Sequence, residues 1–195
     1  MEREEVLREF RDAGALLEGH FILSSGRHSP KYLQCARVMM DARRGARLCS
    51  ALAEKIRAAG LGPFDLVVSP AMGGVVVGYE MGRQLGVPAV FMERVEGRFT
   101  LRRGFAIEPG ARCLMMEDIV TTGLSSRETI EAIEAAGGRT TAAACLIDRS
   151  GGKADLGVPL VPLAALEIPT YAPDEVPQDL AATEAVKPGS RFLKA

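Results

Sequence analysis

The chain has 195 residues, 47% of them hydrophobic, and 24 lysines and arginines set against 25 aspartates and glutamates leave a formal net charge of −1. That is enough chain for one globular domain with a sizeable core, and the charge balance argues against a nucleic-acid-coating protein, whose affinity rests on an excess of basic residues. No apolar run approaches the roughly 20 residues that cross a bilayer, and Met1-Glu2-Arg3-Glu4-Glu5 lacks the basic-then-apolar order of a secretory signal, so the expectation is a single cytoplasmic domain binding neither membrane nor nucleic acid. Val6, Leu7 and Phe10 recur at helical spacing and predict a short amphipathic helix ending near Gly14. After an irregular stretch, Asp41 caps a second helix with an apolar face of Leu48, Leu52, Ile56 and Ala59, and Gly60 stops it. The β-branched run over 65–69 reads as a buried strand. A glycine-rich turn with a helix over 75–85 comes next, then a strand over 87–92, a charged loop, a strand over 112–116, a helix over 126–136 and a strand over 141–147. Such alternation predicts an α/β fold, with a mainly parallel central sheet and helices on both faces. Ligands bind such sheets where loops leave the carboxyl ends of the strands. Six of the eleven prolines (Pro159, Pro162, Pro169, Pro173, Pro177 and Pro188) crowd the last 40 residues, which suits turns and edge strands forming a lid or edge.

The four cysteines, Cys35, Cys49, Cys113 and Cys145, form no C-x-x-C pair and have no histidine cluster beside them, so they read as buried reduced thiols. Nineteen arginines to five lysines, with no asparagine, is a bias that fits a hot environment and a GC-rich genome equally well.

Most of the functional information lies after the Cys113 strand. Two adjacent carboxylates, Glu117 and Asp118, precede Ile119 and Val120 and then a turn of Thr121, Thr122, Gly123, Leu124 and Ser125. Ser125 followed by Glu128 fits a capping box, which starts a helix there and turns its first backbone N–H groups into the turn. A helix N-terminus beside hydroxyls and a glycine suits a phosphate monoester. Acceptor-only carboxylates at the other end of the loop suit a sugar diol or a hydrated cation, and the two ends together describe a ribose 5-phosphate. Read for structure alone, the same string is a capped helix preceded by solvated acids. The P-loop and the G-x-G-x-x-G dinucleotide signatures are both absent.

The segment Glu117 to Ser125 resembles the signature loop of the type I phosphoribosyltransferases. Residues 19–32 (Gly-His-Phe-Ile-Leu-Ser-Ser-Gly-Arg-His-Ser-Pro-Lys-Tyr) and the pair Asp148-Arg149 are similar to segments of the orotate-using branch of that family, and the resemblance runs from about residue 18 to residue 150. It implies a single domain over 1–195 of the type I fold, with 1–40 and part of 150–195 forming a hood over the active site. The implied reaction joins orotate to 5-phosphoribosyl 1-pyrophosphate (PRPP) in pyrimidine synthesis, with Mg²⁺ as cofactor.

By the same resemblance, Glu117 and Asp118 hold the ribose hydroxyls. The ion meets the protein mainly through water rather than by direct ligation. Thr121, Thr122, Gly123, Leu124 and Ser125 cradle the 5-phosphate, and Ile119 and Val120 belong to the same PRPP-binding segment. Thr121 also touches orotate, and Arg149 pairs with the orotate carboxylate, a match for a planar guanidinium; without the family, Arg149 reads as a surface arginine. The turn Ser69-Pro-Ala-Met-Gly-Gly74 is implied to hold a non-proline cis peptide near Ala71-Met72 and to face the pyrophosphate.

The charged loop over 93–104 carries Arg94, Arg98, Arg102 and Arg103 against Glu93 and Glu96. It reads as a solvated hairpin, or, by resemblance, as a mobile loop that reaches the neighbouring active site of a homodimer, with Arg94 and Arg98 on PRPP and Arg98 and Asp118 as the catalytic pair. Many members place lysines where this chain has Ser24, Gly73, Val95 and Arg98. An arginine keeps the charge but cannot serve as a general acid at neutral pH, so Arg98 is expected to act electrostatically. The alternatives are a PRPP-dependent transferase for another nucleobase and a non-catalytic PRPP-sensing regulator.

Overall fold

The structure is a computed structural model in which residues 1–23 and 25–187 are described; Ser24 and Pro188 therefore lie outside the described residues. The opening segment forms α1 (Arg3–Asp12), which buries Val6, Leu7 and Phe10. The stretch expected to be irregular is instead an antiparallel hairpin of β1 (Leu16–Ile22) and β2 (His28–Leu33). Its pairing shifts register between Glu18 and Phe21, which breaks the two-residue alternation by which a strand is recognised. After α2 (Cys35–Met39) comes α3 (Ala42–Ala58), whose cap is the expected one: Asp41 accepts from the backbone N–H groups of Arg43 (2.9 Å) and Arg44 (3.1 Å). Leu48, Leu52 and Ile56 are buried along it, but Ala59 is exposed because the helix ends at Ala58 and leaves Ala59 as its C-cap.

The central sheet is built from β3 (Leu66–Pro70), α4 (Gly74–Leu85), β4 (Ala89–Val95), β5 (Arg98–Leu101), β6 (Arg112–Val120), α5 (Leu124–Ala135), β7 (Arg139–Asp148) and β8 (Leu160–Ala165). Its six strands run in the order β5-β4-β3-β6-β7-β8. All neighbours are parallel except β4 and β5, which pair antiparallel as a hairpin. Alternate residues on a strand face opposite ways, and the two apolar clusters follow that rule. Val67, Leu114, Met116, Ala142 and Ala144 pack with residues of α1, α3 and α4 on one face. Val68, Cys113, Met115 and Ala143 pack with Ile130 and Ile133 of α5 on the other. Pro162 lies in β8, an edge strand, where a missing N–H is tolerated. All four cysteines are free and buried. Among the described residues no helix is long and apolar enough to cross a membrane.

The two ends of the described chain meet in a second sheet. After the short α6 (Gln178–Ala181), β9 (Ala185–Val186) pairs parallel with β1, giving the order β2-β1-β9. His20 of β1, only 6% exposed, ties this sheet together. Its Nδ1 donates to the Thr183 carbonyl (3.1 Å), which leaves its Nε2 to accept from Nδ1 of His28 (2.5 Å).

Candidate active site

Strand β6 runs four residues beyond its expected end, to Val120. Glu117 and Asp118 are therefore strand residues rather than part of the turn, and the expectation of two acids in a loop is corrected. Pairing with β7 extends the strand, since Glu117 stands opposite Cys145, Ile119 opposite Ile147 and Val120 opposite Asp148; a backbone ladder of this kind overrides the weak strand preference of acidic residues. Being consecutive in a strand, the two carboxylates point to opposite faces. Glu117 faces α5, where the hydroxyl of Ser126 donates to its Oε2. Asp118 faces the start of α4: a Cβ built on Gly73 would lie 2.9 Å from its Oδ2. A side chain at position 73 would compete with the carboxylate for this space.

Both acids are half-buried. Burial, reinforced by the nearby charge of Asp118 and opposed by the Ser126 hydrogen bond, pushes the Glu117 carboxyl up to about 7. Burial also raises Asp118, against the backbone N–H of Ile119, which donates to its Oδ1 at 2.9 Å.

The turn over 121–123 leads directly into α5, whose N-cap is Gly123 in the left-handed region (φ 75°) with no side-chain cap. The expected Ser125–Glu128 capping box is thus absent, and Glu128 pairs with Arg94 instead (2.5 Å). Glycine is required at position 123 twice over, by its φ and because a Cβ would come within 2.7 Å of the Leu156 side chain. The first N–H groups of α5 have no partner within the helix, so the turn is an open anion-binding end. Thr121, Thr122 and Leu124 are exposed at its mouth, and Ser125 is half-buried. Arg127 braces the turn from behind by donating to the carbonyls of Thr122 (3.2 Å) and Asp155 (3.0 Å).

Arg149 follows β7, and its backbone N–H donates to the carbonyl of Val120 (2.8 Å), which sets it at the end of β6. Its Nε is buried with no hydrogen-bond partner among the described residues. Burial lowers its pKa, while Tyr32 of β2 and Cys35 of α2 oppose the shift. Asp148 fixes the next turn by accepting from the N–H groups of Ser150 (2.7 Å) and Gly152 (3.0 Å). At the end of β3 the peptide between Ala71 and Met72 is cis, at the position the resemblance implied.

The charged loop proves to be the β4–β5 hairpin, turning at Glu96 and Gly97. Arg94 stacks over Phe99 at 4.2 Å while bonding Glu128, and Arg103 bonds Glu93 through two nitrogens (2.9 and 3.1 Å). Arg98 is exposed and has no ion-pair partner among the described residues. The structure thus gathers residues 117–125 and Arg149 at the ends of β6 and β7, and leaves Arg98 out on the edge strand. Sequence reasoning missed Ser126. Its signal lay in the buried stripe of α5 (Ser126, Thr129, Ile130 and Ile133), where a hydroxyl occupies a position that packing alone would fill with an apolar side chain.

Residues 39–157 match the model of the phosphoribosyl transferase domain. The chain belongs to the phosphoribosyl transferase family. It is 65% identical to the orotate phosphoribosyltransferase of Novosphingobium aromaticivorans, with 98% of each chain covered, and 62% identical to that of Sphingopyxis alaskensis, with 100% of each covered. The crystal structure of orotate phosphoribosyltransferase from Aeropyrum pernix superposes with a TM-score of 0.68 at 27% identity, covering 83% of this chain and 93% of that one. Within the family the chain groups with these orotate phosphoribosyltransferases.

Proposed function

We propose that the chain is an orotate phosphoribosyltransferase, transferring the 5-phosphoribosyl group of PRPP to N1 of orotate to give orotidine 5′-monophosphate and pyrophosphate in pyrimidine (UMP) synthesis. One observation carries the reading beyond the family likeness. The ends of two neighbouring parallel strands carry an uncapped helix N-terminus, two half-buried carboxylates and a half-buried arginine whose Nε is enclosed and unpartnered among the described residues. Each matches one part of the substrates. The turn over 121–125 takes the 5-phosphate, with Ile119 and Val120 forming its approach. Glu117 and Asp118 take the ribose hydroxyls, and Arg149, with Thr121, takes the orotate carboxylate.

Two carboxylates are too few for an all-protein cation cage, but they suit a Mg²⁺ ion that would keep several waters and meet them through that water while the substrate phosphates take its remaining positions. Bound there, the ion supplies charge neutralisation for the pyrophosphate. The chain's own residues do the rest by positioning. The anomeric carbon loses pyrophosphate as it gains orotate N1, through an oxocarbenium-like transition state, with no protein nucleophile. Arg98 and Arg94 stabilise the departing charge, and Asp118 steadies the developing positive charge on the ribose. The β2-β1-β9 sheet, with the residues that flank it, serves as the hood that keeps water from the activated sugar.

Met72, Val76 and Tyr79 support a homodimer in which the hairpin arginines reach the neighbouring site. They form a stripe at positions i, i+4 and i+7 and are 83%, 52% and 70% exposed. The free, buried thiols support a cytoplasmic setting.

The test is ultraviolet-monitored loss of orotate with PRPP and Mg²⁺, beside parallel reactions with uracil, hypoxanthine and adenine. Turnover of orotate alone is expected. Turnover of another base in its place would make the protein a transferase for that base, and Mg²⁺-dependent PRPP binding with no turnover would make it a sensor.

A further inference from the structure

We infer that Ser126 is a positioning residue for the transfer, locking the ribose-binding carboxylate of Glu117 at a fixed distance from the phosphate-binding turn. The inference rests on the reading above. Ser126 is 1% exposed, and its hydroxyl donates to Oε2 of Glu117. A serine in the first turn of a helix ordinarily caps that helix or bonds back to it. Here the cap is Gly123, and the hydroxyl crosses to a different element. Thr129, on the same buried stripe, shows the ordinary behaviour, donating to the carbonyl of Ser125 within its own helix (2.8 Å).

The consequence is geometric. Glu117 is anchored by strand pairing at its backbone only, and its side chain has freely rotating bonds. Its one hydrogen bond among the described residues is the one to Ser126, so Oε2 is held and Oε1 is left for a ligand. The neighbouring charge of Asp118 and the surrounding burial both favour a carboxylate that turns outward to water. Ser126 opposes that turn. Because it sits on the helix whose first N–H groups receive the 5-phosphate, the same bond couples both contacts that one substrate molecule makes, and such contacts lose much of their effect when misplaced by an ångström.

The experiment measures calorimetric PRPP affinity in the presence of Mg²⁺, with kcat and both KM values, for the unsubstituted protein and for Ser126→Ala, Ser126→Thr and Ser126→Val. Thr and Val add the same bulk but only Thr keeps the hydroxyl, so their difference separates the bond from packing. Ser126→Ala is expected to weaken PRPP about tenfold or more, the range for a hydrogen bond to a charged group. KM for orotate should stay within about threefold, and Ser126→Thr should restore affinity where Ser126→Val does not. Unchanged PRPP affinity in Ser126→Ala, or equal losses for Thr and Val, would overturn the assignment. Failure of the unsubstituted protein to bind PRPP would overturn the reading of the site, and this inference with it.

Discussion

At the end of β6 the charged groups, Glu117 and Asp118, are half-buried, each faced by a different helix, and held by strand pairing and hydrogen bonds. On the β4–β5 hairpin the charges are exposed, and two of its four arginines are already paired, Arg94 with Glu128 and Arg103 with Glu93. The first region binds by geometry, in a low-dielectric wall where each charge acts strongly and salt screens it little. The second offers charge that solvent screens and that becomes strong only when the hairpin meets its target. Binding is therefore expected to depend on the first region and the chemical step on the second.

Arg98→Ala breaks that comparison most directly. Its kcat should fall about 100-fold or more while PRPP affinity changes less than about threefold; equal losses in steady-state and calorimetric measurements would remove its transition-state role. Arg149→Gln should raise KM for orotate by about 10- to 100-fold, the range for a charge-assisted hydrogen bond, without moving PRPP affinity. A uniform loss on both substrates would instead mark Arg149 as structural.

Glu117→Gln sharpens the cost of burial. The carboxyl is raised in the fold to about 7 from its ordinary 4.5, so the folded state holds a proton that the unfolded chain releases. Stability from this group is full below the ordinary value and declines as pH rises through 7. The amide variant escapes that decline. In urea melts it should match the parent near pH 4 and exceed it by up to about 3 kcal/mol at pH 8, while losing activity. Coincident melts at both pH values would refute the burial argument. The smallest effect is expected for Glu128→Gln, which frees Arg94 from a pair 41% and 33% exposed. Turnover should change by less than about threefold, and the change should fade in high salt; a large, salt-independent change would show the hairpin to be as rigidly built as β6.

The periodic elements were legible because burial writes a period into the sequence. The stripe of α3 and the β-branched core of β3 are of that kind. The β1–β2 hairpin was not, since its register shift removes the alternation. The acids illustrate a different limit. Composition identified Glu117 and Asp118 as functional, but an acidic pair reads as loop, and only pairing with β7 makes it strand. The capping box failed for a related reason: Ser125 and Glu128 have the right spacing, yet Gly123 takes the cap and Glu128 is drawn to an arginine 34 positions away. Long-range partners of this sort leave no local trace.

The second sheet imposes an order on the making of the protein. His20 and its partner Thr183 are 163 positions apart, and bringing such distant segments together is a late, entropically demanding event. At a synthesis rate of about 5–20 residues per second, a growing chain spends on the order of ten to thirty seconds with β1 and β2 emerged and their third strand not yet made. Strands β3, β6 and β7 are all made within that interval, and β8 only shortly before β9. Until β9 arrives, the edge of β1 that it covers stays open to any passing strand. Newly made protein is expected to be vulnerable to aggregation at this edge first.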